Sequence, residues 1–125
     1  MVNTIKINDV EYVRKDDVSK EIAEDIEGMP CVLIRSYGAG VFYGFLKKKE
    51  DVAAGTNVIM NHCKRIHYWD GACSLTQVAL DGVQAPQNCR ITDPLDSHFI
   101  ANVIEILPVS KKALKSMEGV KIWKK

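Results

Sequence analysis

The chain has 125 residues, 46% hydrophobic and 26% charged, which is the balance of one ordinary globular domain and leaves no room for two. A formal net charge of +1 supplies no general pull towards nucleic acid or an anionic membrane, so any anion site must be a local arrangement of basic residues. No apolar run approaches the length of a membrane-spanning helix.

The opening MVNTIKINDV lacks the basic region and continuous apolar core of a signal peptide, so the expected compartment is the cytoplasm. Thr4-Ile5-Lys6-Ile7 and Val10-Glu11-Tyr12-Val13 alternate as strands around a turn at Asn8-Asp9, which predicts a hairpin. Asp16 or Asp17 can then cap a short helix carrying Val18, Ile22 and Ile26, ended by Gly28 and Pro30.

Residues 31–37 form an apolar, β-branched run. Gly38-Ala39-Gly40 reads as a turn, and residues 41–47 return as a second strand. The charged stretch Lys47-Lys48-Lys49-Glu50-Asp51 reads as a solvated loop. Residues 57–60 and 64–69 read as two strands around a turn at Asn61-His62.

Ser74-Leu75-Thr76-Gln77 has the form of a capping box, and Leu75, Val78, Ala79 and Val83 follow at helical spacing before Gly82 and Pro86 stop the helix. Residues 85–94 are loop-rich, with a short extended piece at 89–92. Residues 99–107 read as one strong strand. Ser110 caps a last short helix with Leu114 and Met117 facing inward and Gly119 closing it; residues 120–123 add a final strand or an apolar hook. Consecutive strands in the middle of the chain predict an α+β fold, a mainly antiparallel sheet with two or three short helices. A single ligand-binding domain is expected over residues 1–125, with the N-terminal hairpin and helix in 1–29 and the core in 30–125.

The four cysteines (Cys31, Cys63, Cys73, Cys89) are widely spaced and form no CxxC, so they read as reduced thiols, three of them acting as small hydrophobes. His62, Cys63 and His67 lack the partner pair and the nearby carboxylate that a zinc site needs, and no metal or cofactor is expected. No GxSxG, cysteine-nucleophile signature or carboxylate pair in an apolar setting is present, so the expected role is binding, with no enzyme activity.

Lys64-Arg65-Ile66-His67-Tyr68-Trp69 is the most informative stretch. As a strand it would set Arg65, His67 and Trp69 on one side and Lys64, Ile66 and Tyr68 on the other, so that each side pairs a cation with an aromatic ring. A nucleotide asks for that pairing, a ring to stack on and a cation for phosphate. The structural alternative puts Ile66 and one aromatic in the core and leaves the basic residues covering a sheet edge. The glycine-rich Tyr37-Gly38-Ala39-Gly40 stretch could cradle a phosphate, with a plain hairpin turn as its alternative. It matches neither the dinucleotide nor the P-loop pattern.

Residues 32–41 followed by Gly44, then Arg65-Ile66-His67-Tyr68-Trp69-Asp70-Gly71-Ala72, Ser74-Leu75-Thr76-Gln77, Gly82-Val83, Cys89-Arg90 and Glu105-Ile106-Leu107-Pro108-Val109 resemble, in that order, the first-described Thoeris anti-defence proteins of phages. The resemblance covers roughly residues 30–123 and implies a sponge. Such a protein sequesters glyco-cyclic ADP-ribose immune signals in the host cytoplasm without cleaving them, and some relatives also hold cyclic oligonucleotides. Some relatives assemble beyond the dimer, and because a domain of this size makes only a shallow cleft, a homodimer or higher homo-oligomer is expected. The net charge of +1 leads to no expected DNA or membrane partner. Within the matched segments, Arg35, Lys64, Arg65 and Arg90 are the choices for pyrophosphate, Tyr37, Trp69 and Phe99 for stacking, and Gln77 and Asn102 for base or ribose edges. The alternative is a phage adaptor that binds a host protein through its aromatic and basic surface.

Overall fold

A computed structural model describes residues 4–7, 10–13 and 21–124. Strands β1 (Thr4–Ile7) and β2 (Val10–Val13) pair antiparallel, Thr4 opposite Val13 and Ile7 opposite Val10, as their alternation predicts. The rest is one antiparallel sheet of six strands with two helices on it. Strands β3 (Cys31–Ser36), β4 (Gly40–Val52), β5 (Gly55–Tyr68) and β6 (Arg90–Ile91) lie in reverse order from one end, and β8 (Val103–Pro108) flanks β3 at the other. Strand β7 (Leu95–Ile100) pairs with β5. Only Ala101 and Asn102 separate β7 from β8, although β7 pairs with β5 and β8 with β3. So short a link between the two sides requires the sheet to curl.

Two bulges in the β4–β5 ladder, at Tyr43/Phe45 and Leu46/Lys48, allow that curl by bending the hairpin. The inside of the curl is packed by Val32, Ile34, Phe42, Val58, Met60, Cys63, Ile100 and Val103. The outside carries Cys31, Leu33, Tyr43 and Ile66, covered by helix α1 (Leu75–Asp81) through Leu75 and Val78 and by helix α2 (Lys111–Glu118) through Ala113 and Met117. Because both faces are covered, β3 is buried at every position but Arg35, which is why it reads as a continuous apolar run. Each large side chain removed from water here contributes roughly 1.5–3 kcal/mol.

Both helices start where their caps predict. Ser74 Oγ accepts from Gln77 N at 3.2 Å, and Ser110 Oγ accepts from Ala113 N at 2.9 Å. Gly82 (φ 80°) ends α1. At the tail, Ile122 bridges Ile91 in parallel, a short strand contact of the expected kind.

Four expectations are corrected. The cap and first turn of the helix expected before Gly28, including Val18, lie outside the described residues, but from Glu21 onward the chain is not helical. Ile22 bridges Ser110, and Ile26 and Met29 exchange backbone hydrogen bonds of 3.0 and 2.8 Å around Glu27 (φ 51°) and Gly28 (φ 81°). Two successive left-handed residues make a tight hairpin turn, and Gly28 suits its second position.

Lys47-Lys48-Lys49-Glu50-Asp51 is strand, not loop: its side chains are exposed, but its backbone is paired to β5. Residues 55–68 are one strand, and Asn61-His62 is a bulge within it. Residues 99–107 are two strands that run in the same direction, because Asn102 (φ 56°) kinks the chain, with neither glycine nor proline, and passes it from the β5 edge to the β3 edge.

Candidate functional site

Arg35 ends the helix-covered face of β3, directly opposite Glu105 on β8, and its Nε lies 3.2 Å from Glu105 Oε1. Above that pair runs the loop from Trp69 to Ser74, which leads into α1. Together Arg35, Trp69, Ser74, Leu75, Thr76 and Glu105 line an open cleft of about 350 Å³.

The loop is pinned from behind. Asp70 Oδ2 accepts from Asn88 Nδ2 at 2.9 Å, Asp70 Oδ1 accepts from Gly71 N at 2.8 Å, and Gln84 N donates to Gly71 O at 3.2 Å. Gly71 has φ 86°, and a Cβ there would sit 2.5 Å from the backbone nitrogens of Gln84 and Ala85. Only glycine permits that approach. Trp69 is thereby held with part of its ring against the core and part in the cleft.

The expected grouping of Arg65, His67 and Trp69 on one side does not form. The ladder shifts register between Ile66 and Tyr68, and Trp69 packs with Ile66 in the helix-covered cluster. Arg65 faces the inside of the curl. Its guanidinium lies 4.5 Å from the Phe42 ring centre, and Nη1 donates to Ala39 O at 2.6 Å, stapling the glycine-rich turn. His67 stacks on Trp123 at 5.0 Å between ring centres, and Arg90 lies 5.3 Å from the same ring.

Lys64 is buried under α2 and donates to Glu118 Oε2 at 2.5 Å, while the Tyr43 hydroxyl donates to the same oxygen at 2.9 Å. Burial works to raise the Glu118 carboxyl, but hydrogen bonds from Lys64 and Tyr43 and the Lys64 charge hold it below its usual range. Burial, reinforced by the charge and hydrogen bond of Glu118, pushes the Tyr43 phenol up, so both partners favour a carboxylate facing a neutral phenol.

Of the remaining candidates, Tyr37 is 78% exposed beside the glycine turn, and its N donates to Asn102 O at 2.9 Å. Gln77 Oε1 accepts from Cys73 N at 2.7 Å and completes the α1 cap. Phe99 is 61% exposed and borders a separate hollow with Lys48 and Ile59. The structure therefore brings together Arg35 and Trp69, sets Tyr37 beside Asn102, and leaves Lys64, Gln77, Arg90 and Phe99 apart. Ser74, Thr76 and Glu105 also line the cleft and were not selected from sequence. Glu105 becomes visible only once the β3–β8 register is known.

All four cysteines are free; Cys31 and Cys63 are buried as small hydrophobes, whereas the buried Cys89 Sγ also accepts from Asp70 N at 3.3 Å. Burial pushes the Cys31 and Cys63 thiols up to about 12, which suits packing and leaves them poor nucleophiles at neutral pH. Among the described residues, no group of three His, Cys, Asp or Glu converges on a metal-sized point, and no helix is long and apolar enough to cross a membrane.

Residues 29–117, from the start of the sheet into the last turn of α2, match the family described as Domain of unknown function (DUF6948). No curated protein and no solved structure matches the chain.

Proposed function

The chain belongs to the DUF6948 family, and we propose that it is a binding protein whose Arg35–Trp69 cleft takes an anionic nucleotide of the cyclic ADP-ribose type and holds it uncleaved. The observation that carries this reading is the meeting of those two residues on the walls of one cleft. One is suited to pyrophosphate and the other to a base, and 34 positions separate Arg35 from Trp69 (69 − 35).

The Arg35–Glu105 pair is about half exposed on the arginine side and over a third on the glutamate side. Such a pair is worth about 0–1 kcal/mol, so a pyrophosphate can compete for the guanidinium at little cost. The Ser74 and Thr76 hydroxyls add neutral donors for ribose or phosphate oxygens. The chain acts as a sponge for glyco-cyclic ADP-ribose immune signals and keeps Thoeris immunity off in the cytoplasm of an infected bacterium. Cyclic oligonucleotides are further candidate ligands.

Native mass spectrometry of the full chain with cyclic ADP-ribose isomers tests this reading. The expected result is a stoichiometric complex that releases chemically unchanged ligand on heating and is weakened at least about tenfold by Arg35→Gln. Linear ADP-ribose accumulating beyond one turnover per chain would instead identify an enzyme. Failure of every isomer to bind would favour the adaptor reading.

A further inference from the structure

The Arg35–Trp69 cleft carries both signs of charge. Arg35 and Glu105 stand directly opposite each other in the β3–β8 ladder, so a carboxylate lies beside the cation at the point where an anion would be held. The other polar side chains there differ from it in kind. Arg35 only donates, and Ser74 Oγ already accepts from Gln77 N at 3.2 Å, which leaves its hydroxyl proton to donate. Thr76 can donate or accept. Among the described residues that line the cleft, Glu105 is the one charged acceptor, and a carboxylate accepts only.

A carboxylate in that place repels an anion that offers it nothing. It favours one that sets a hydroxyl or amino donor next to its own negative charge. Half of the Arg35 side chain and over a third of the Glu105 side chain are exposed, so both can reach a ligand without disturbing the core. Carboxylates read ribose in this way in dinucleotide-binding folds, where an acidic side chain accepts from a ribose hydroxyl and a basic one admits the 2′-phosphate.

We propose that Glu105 is the specificity-determining residue of the cleft, which accepts from a free ribose 2′,3′-diol and excludes nucleotides phosphorylated on it. This inference rests on the nucleotide reading of the same cleft. With the base on Trp69 and the pyrophosphate on Arg35, the ribose that joins them lies between and meets Glu105. Ser74 and Thr76 cannot draw the distinction, because a hydroxyl donates to a phosphate oxygen as readily as to a ribose oxygen. Glu105 can, since a 2′-phosphate replaces a donor with further negative charge.

Isothermal titration calorimetry of the full chain with ADP-ribose and with ADP-ribose 2′-phosphate tests this. The parent is expected to bind ADP-ribose at least about tenfold more tightly than the 2′-phosphate. Glu105→Gln should bring the two within about threefold of each other, and Glu105→Lys should favour the 2′-phosphate. A role confined to pairing with Arg35 would change the melting temperature of these variants and leave the ratio of affinities as it is in the parent. A parent that binds both compounds equally, or a ratio unchanged in Glu105→Gln, therefore overturns the proposal and leaves the nucleotide reading standing. Binding of neither compound by the parent also overturns it. The cyclic ADP-ribose isomers then decide the wider reading: their retention would show nucleotide binding without a diol contact at Glu105, and their failure to bind would remove both.

Discussion

Glu118 occupies the C-terminal end of α2, where the helix dipole disfavours a carboxylate, yet it is the group on which Lys64 and Tyr43 converge. Its value is tertiary: it keeps a buried ammonium from being left alone. Glu118→Gln is expected to cost about 1–3 kcal/mol by denaturant unfolding, less than a fully buried pair because Glu118 is partly exposed. The pH dependence follows from the lowered carboxyl. The unfolded chain binds the Glu118 proton more readily than the folded one, so this stabilisation is present above the ordinary carboxylate range and is lost as pH falls through and below about 4.5. Urea titrations between neutral and acid pH should show a shallower acid loss in Glu118→Gln than in the parent.

Gly44 is a second residue whose role is tertiary. A Cβ there would stand 2.9 Å from His62 O and 3.0 Å from Asn61 O and Cys63 Cα, all backbone atoms of the bulge that folds over it. Gly44→Ala should therefore cost about 2 kcal/mol or more, because backbone has to move. A melting temperature unchanged from the parent would mean that the bulge does not press on Gly44.

Among the elements, the two helix caps have the same local form and unequal surroundings. Ser74 caps α1 at the surface, whereas Ser110 is 3% exposed and does more than cap. Its hydroxyl accepts from Ala113 N and donates to Leu80 O at 2.6 Å, tying α2 to the last turn of α1. Ser110→Ala removes the partly buried hydrogen bond to Leu80 O as well as uncapping a helix, so about 2 kcal/mol is expected, against about 1 kcal/mol for Ser74→Ala. Parallel chemical denaturation of the two variants measures the difference. The α1 variant carries a further consequence, because Ser74 also lines the cleft and its loss should weaken nucleotide binding beyond its effect on stability.

For the whole molecule, the curl is closed at one residue. Asn102 O accepts from Tyr37 N, Asn102 N donates to Asn57 Oδ1 at 3.4 Å, and the neighbouring Ala101 O accepts from Ser36 Oγ at 2.6 Å. The β3–β4 turn and the start of β5 thus meet at the β7–β8 kink. Asn102→Val, forcing a β-branched side chain into a left-handed position, should lower stability by about 1–3 kcal/mol, while Asn102→Gly should be tolerated. The proposed nucleotide cleft is open on one side, and tight retention of a small anion requires enclosure, which a second copy across a two-fold axis can provide. A homodimer or larger homo-oligomer is expected by sedimentation, and a monomer that binds the nucleotide with full affinity would remove the need for one.

The signals that could be read in advance were local ones. The β3 apolar run, the Ser74 and Ser110 caps and the Gly38–Gly40 turn each depend on neighbours within a few residues, and each lies where its chemistry puts it. Arg35 and Trp69 could be chosen as a cation and a ring for the same reason, but not as neighbours. What the tertiary structure alone decided are the features set by partners far along the chain. Lys64 is buried because Glu118, 54 positions later, reaches it. Trp69 leaves the side of Arg65 because β6 shifts register beyond Ile66. The charged Lys47-Lys48-Lys49 stretch is strand because β5 pairs its backbone, and the chain kinks at Asn102 because β7 and β8 have different partners. Periodicity reports which face a side chain prefers; a bulge of one or two residues changes that face, and bulges follow from how the sheet curls.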